Sequence, residues 1–140
     1  MAEARSERGS KIERPLSPHL LIHTPHINMV MSILHRITGA ALYFGTLLLA
    51  WWLMAAASGP DYFAFVQSIL ATWPMKLVLF GYTWALIHHM VGGIRHFIWD
   101  TGAGFDIKTI DLLSWGSIVV SGIATLAIWA YVLHGGGVAL

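Results

Sequence analysis

Leu86 to Asp100 reads LIHHMVGGIRHFIWD and sets His88, His89, Arg95 and His96 at the end of an apolar run. No Asp, Glu, Lys or Arg occurs from Leu77 to Ile94, and about 18 residues at ~1.5 Å each cover about 27 Å, close to the ~30 Å of a bilayer core. A full charge at that depth costs roughly 2.5–3.5 kcal/mol or more, so ionisable groups there tend to be kept for a function. Histidine costs least, because it can stay neutral and offer a ring nitrogen to a metal. His89 and Gly93 share a helix face one turn apart, and the glycine leaves a flat space beside the imidazole. A planar macrocycle needs that space if His89 binds its iron axially. His96 lies two turns farther, about 10 Å along the axis, so it cannot share that iron and a second axial ligand must come from elsewhere.

Composition restricts the class that positions these groups. Hydrophobic residues make up 56% of the chain and charged ones 11%, with a mean hydropathy of +0.66, against about 25% charged in soluble domains. The expectation is an all-α integral membrane protein. Cysteine is absent, which excludes disulfides, iron–sulfur ligation by this chain and thiol catalysis. The net charge of +1 carries no information about partners by itself, and no nucleic-acid partner is expected.

Residues 1–28 read as a polar tail followed by a proline-rich surface segment. Met1 to Arg14 holds charges of both signs and no apolar core, unlike a signal peptide, and Glu3, Glu7 and Glu13 argue against a transit peptide. Pro15, Pro18 and Pro25 break any continuous helix before Asn28. Residues 29–140 read as a three-helix transmembrane anchor with spans at about 30–57, 74–97 and 113–133. Gly59-Pro60 ends the first span. Tyr62 to Trp73 is either an interfacial helix or the first turns of the second span, and Trp99 to Asp111, with Gly102, Gly104 and three aspartates, reads as a polar loop.

Basic residues set the expected orientation. Arg5, Arg8, Lys11, Arg14 and Arg36 precede the first span, Arg95 and Lys108 flank the second loop, and the other side has only Lys76. The N-terminus is therefore expected in the cytoplasm and the C-terminus outside. This topology brings His35-Arg36 and Arg95-His96 to the same inner boundary. His89 lies about 9 Å deeper than Arg95, an offset suited to iron and propionate of an upright haem, and arginine neutralises carboxylates at low dielectric.

RPLSPH at Arg14 to His19, SILHRITG at Ser32 to Gly39 and HMVGGIRHFIWD at His89 to Asp100 together resemble the large cytochrome b membrane-anchor subunit of succinate dehydrogenase, the succinate:quinone oxidoreductase of respiratory membranes. The family patterns S-x-x-H-R-x-[ST]-G and H-x-x-x-G-x-R-H are both complete here, and the match covers roughly Arg14 to Gly104. His23 departs from it, standing where tyrosine is usual. The resemblance implies that His89 is the axial ligand of a haem b shared with the small anchor subunit. It implies that Ser32 and Arg36 line a ubiquinone site, and that His35, Arg36, Arg95 and His96 lie near the haem or the iron–sulfur subunit. The flavoprotein and iron–sulfur subunits would carry the succinate chemistry. This chain would hold them to the inner (cytoplasmic) membrane as a multi-pass subunit and pass electrons to ubiquinone.

Each reading has a plainer rival. Arg36 and Arg95 also suit simple cytoplasmic anchoring, Ser32 can bond its own backbone, and Gly92-Gly93 can permit close helix packing. His88 and His134 suit the membrane interface, and His19, His23 and His26 a surface segment. The alternative function is a purely structural, haem-free anchor or assembly subunit.

Overall fold

The computed structural model describes residues 15–135 and is helical throughout its regular parts, with no strand among the described residues. The charged tail expected over Met1 to Arg14 lies outside them. A single turn, α1 (His19–Ile22), precedes α2 (Ile27–Ser58), α3 (Pro60–Leu70), α4 (Trp73–Asp100) and α5 (Ile107–Leu133). Three of these, α2, α4 and α5, are long and apolar enough to cross a membrane, with mean hydropathies of 1.7, 1.4 and 1.9 over their most apolar windows.

Local chemistry explains the breaks. Gly59 sits at φ +120° between α2 and α3, a backbone region that side chains disfavour, and Pro60 supplies the preset φ of the first turn of α3. Tyr62 to Leu70 thus belongs to a helix of its own, with Ala71 and Thr72 between it and Trp73, which opens α4. The expected polar loop from Trp99 to Asp111 is shorter in the structure, covering only 101–106. The α4 helix runs on through Asp100, where Trp99 donates its indole N–H to the Gly104 carbonyl at 3.2 Å and folds the turn back. The Asp106 carboxylate then caps α5 by accepting from the Thr109 backbone N–H at 2.9 Å, so this helix begins two turns before Leu113.

The α4 helix stands between α2 and α5 and packs on both, while α3 lies across the end of α2 near the start of α4. Buried apolar contacts concentrate there: Ala55, Val66 and Leu70, flanked by Trp51, Trp52, Phe63 and Met75. Elsewhere the interior is mostly polar, with Thr38, His88, Arg95, Ser114, Ser117, Ser121 and Thr125 buried beside Met31, Ala85 and Ile87, while Leu47, Phe97, Val119 and Ile123 are exposed. Lipid tails are as apolar as leucine, so large aliphatics gain little by turning inward, whereas polar groups must find partners inside. The side-chain distribution is that of a membrane bundle.

Candidate functional site

One face of α4 meets α2 through three imidazoles. His89 and His96 are two turns apart, and His35 of α2 reaches both: its ring stacks on His89 at 3.9 Å and 13°, and meets His96 edge-on at 5.2 Å and 64°. Two glycines let the helices approach this closely. A Cβ on Gly92 would collide with the His35 ring, and one on Gly39 would stand 2.9 Å from His89 Cε1. Gly93, the residue singled out by its spacing from His89, faces open space instead, with nothing within 4 Å of an added Cβ.

The His89 tautomer follows from its neighbours. Its Nδ1 lies 3.1 Å from the His35 backbone carbonyl, which can only accept, so Nδ1 carries the proton and donates. Thr38 Oγ1 stands 3.4 Å from the same nitrogen and itself donates to the Leu34 and His35 carbonyls at 2.9 and 3.0 Å. Nε2 is left with its lone pair, the arrangement typical of metal-ligating histidines whose other nitrogen is anchored. His35 Nε2 is buried without a hydrogen-bond partner among the described residues. Among those residues no three His, Cys, Asp or Glu side chains converge on a common point suited to a metal ion.

Ser32 and Arg36 lie one turn apart on α2, and both side chains are exposed rather than packed into the bundle. They flank His35 in sequence but point away from the α4 contact. His19, His23 and His26 are exposed in and around α1, and His134 is exposed beyond α5.

The opposite flank of α4 is built differently. His88 is 1% exposed, stacks on Trp84 at 5.0 Å, and its Nδ1 is 3.1 Å from Ser121 Oγ. That hydroxyl donates to the Ser117 carbonyl at 2.7 Å, so His88 Nδ1–H donates to it. Arg95 shares this flank, seven residues on. Its Nη1 donates to Ser114 Oγ at 3.4 Å and its guanidinium lies 5.0 Å from the Trp99 ring centre. The structure thus brings His35, His89 and His96 together, leaves Ser32 and Arg36 on an outer face, and turns Arg95 toward α5.

Sequence reasoning passed over Thr38, Gly39, Ser114 and Ser121. The first two belong to the ITG end of SILHRITG, and Ser114, Ser117, Ser121 and Thr125 recur at helical spacing in an otherwise apolar helix; both signals were present.

A family profile described as succinate dehydrogenase/fumarate reductase transmembrane subunit matches residues 10–134. The chain is 39% identical over 117 residues to the succinate dehydrogenase cytochrome b556 subunit of Rickettsia prowazekii, covering 84% of this chain and 91% of that protein. The subunit of the same description from Paracoccus denitrificans is 36% identical over 122 residues, with 84% and 94% covered. The mitochondrial succinate dehydrogenase cytochrome b560 subunit of Bos taurus is 35% identical over 105 residues, covering 74% and 62%.

Proposed function

The chain belongs to the succinate dehydrogenase/fumarate reductase transmembrane subunit family, and on that premise we propose that it is the haem b- and quinone-binding anchor of a succinate:quinone oxidoreductase. It is a multi-pass protein of the inner membrane, with its N-terminus on the cytoplasmic side by the distribution of basic residues. Its partners are the small anchor subunit, the iron–sulfur subunit and the flavoprotein.

The observation that carries the haem reading is the anchored His89 ring. Its Nδ1–H is held by the His35 carbonyl, its Nε2 keeps a lone pair, and Gly93 leaves room one turn away. These residues fit a haem: His89 Nε2 would hold its iron from this chain, and a histidine of the small anchor subunit would supply the other protein ligand. When bound, a haem b would supply a one-electron store. His35 Nε2, buried and without a partner among the described residues, would have a donor or acceptor to offer it, and His96 meets the same His35 ring edge-on.

Ser32 and Arg36 are the residues proposed for ubiquinone. Reduction to the quinol takes two electrons, arriving through the iron–sulfur subunit, and two protons from the cytoplasmic side. Negative charge develops on the carbonyl oxygens as electrons arrive, and the Arg36 guanidinium with the Ser32 hydroxyl would donate hydrogen bonds to them. Exposure of both side chains leaves them free to meet quinone at the junction with the partner subunits.

A haem-free structural anchor is the second reading, favoured by the flat His35–His89 stack, which covers one face of the His89 ring. A reduced-minus-oxidised visible spectrum of the complex purified through this chain separates the two. A b-type band near one haem per copy, lost in His89→Ala, is the expected result. Its absence from the wild-type complex, or its persistence in assembled His89→Ala, would sink the ligand assignment.

A further inference from the structure

Arginine near a membrane boundary ordinarily extends to the headgroups and keeps its charge in water. Arg95 does not. It is 3% exposed, turned into the seam between α4 and α5. It stays a cation, since guanidinium is not deprotonated in proteins. Its contacts are a long hydrogen bond to Ser114 Oγ at 3.4 Å and the face of Trp99 at 5.0 Å. Neither carries a negative charge. Its Nε is buried with no acceptor, and no carboxylate pairs with the guanidinium among the described residues. Asp100 at the end of α4 and Asp111, one turn before Ser114, form no ion pair with it among the described residues, and Asp106 is engaged by the Thr109 N–H.

Arg95 follows His89 by six residues, about 9 Å along the axis and a third of a turn round the helix. That offset aims it away from the His89 ring and toward Ser114, so it is poorly placed to bond a propionate directly. Its field is another matter, because charge acts over such distances when the space between is apolar protein rather than salt water.

Resting on the haem reading above, we infer that Arg95 is an uncompensated positive charge, locked inside the bundle by Ser114 and Trp99, that favours the reduced state of the haem held at His89. Gaining one electron makes the haem group more negative by one unit, and a fixed cation stabilises that state over the oxidised one.

The test is a redox titration of the b-type band in the whole assembled complex. Arg95→Gln should lower the reduced-to-oxidised ratio about tenfold at a given poise, which for one electron is a fall of 59 mV, with haem content unchanged. Arg95→Lys should keep the wild-type midpoint. Should Arg95→Gln fail to assemble, Arg95→Met decides, because it keeps a long apolar stem in the seam and removes only the charge; the same fall is expected. An unmoved midpoint at full haem content in either variant overturns the inference and means that a counter-ion on another subunit already neutralises Arg95. An equal fall in Arg95→Lys also overturns it, since packing rather than charge would then be responsible. A wild-type complex without a b-type band would instead be a failure of the haem reading.

Discussion

His88 and His89 are adjacent in sequence and about 100° apart on α4, and the two flanks they face are built on different rules. Toward α2, imidazoles lie against each other and against glycines, and His89 remains only partly covered beside the open face of Gly93. Toward α5, His88 is enclosed, with Trp84 on its ring and a serine on its nitrogen. Both rings have their Nδ1–H anchored to a neighbouring helix, so donor satisfaction does not distinguish them. The difference lies in how far each ring is covered: His89 is half-buried, one turn from a glycine beside which an added Cβ meets nothing within 4 Å, while His88 is enclosed in a packed seam. A histidine inside a membrane bundle is therefore read by its rotation about the helix more than by its presence.

The largest effects should come from glycines on the α2 side. Gly92→Leu drives a side chain into His35, and overpacking of this kind costs about 1–3 kcal/mol or more. We expect loss of both the chain from the membrane and the b-type band. At Gly93 an added Cβ meets nothing within 4 Å, so in Gly93→Leu the chain should accumulate normally while haem content, measured by pyridine haemochrome, falls severely. Full haem in Gly93→Leu would mean that the open face belongs to lipid, and the contrast between the flanks would lose its functional meaning.

Arg36→Leu should come next. Removing one preorganised donor at a developing oxyanion costs ~10²–10³ where it is fully used, and an exposed arginine beside Ser32 should lie near or below that range, at about tenfold. Quinone reductase activity should fall while succinate oxidation with a soluble artificial acceptor persists. Equal loss of both would place the damage in assembly.

On the α5 side the same change of residue type should do less. His88→Ala removes a buried ring but leaves Ser121 bonded to the Ser117 carbonyl, so a stability cost of about 1–3 kcal/mol is expected from lost packing. The b-type band should be unchanged while the detergent-solubilised complex melts at a lower temperature. Haem loss in His88→Ala at full assembly would show that the flanks are not separable.

The helices that carry this division are legible in the sequence, while the division itself is not, since His88 reads there as an interfacial residue. Charge-free runs of spanning length mark α2, α4 and α5, and Gly59-Pro60 marks the start of α3. The seven-residue step from His89 to His96 sets both on one side of α4, whereas the depth of Arg95 suggested a propionate contact and the structure turns it toward Ser114 instead. The direction of Arg95 was harder, because that depends on which face of α4 meets α5, and the register of Ser114 and Ser121 decides it. The GG pair was also ambiguous: Gly92 is the one His35 needs, while Gly93 is the one the spacing from His89 selects. Helix ends were least legible where side chains rather than glycine or proline set them, as with the Trp99 bond to Gly104 and the Asp106 cap.

That cap offers the mildest probe of the comparison, because it sets the start of the helix that carries the serine seam. Asp106 is exposed, and hydrogen bonds from Thr109 to its carboxylate hold its pKa below the ordinary carboxylate value. A depressed folded-state pKa means that the carboxylate stabilises α5 above the unfolded value of ~3.9 and that this contribution disappears as pH falls through the folded value. Asp106→Ala should therefore lower the thermal midpoint slightly at neutral pH, with the difference from wild type closing below about pH 4. Asp106→Asn can still accept from the Thr109 N–H, so it should recover most of the loss and flatten the pH dependence. The haem band should not respond to either variant, since α5 packs on the flank of α4 that faces away from His89. A shift of that band on loss of the cap would instead tie the serine seam mechanically to the imidazole face.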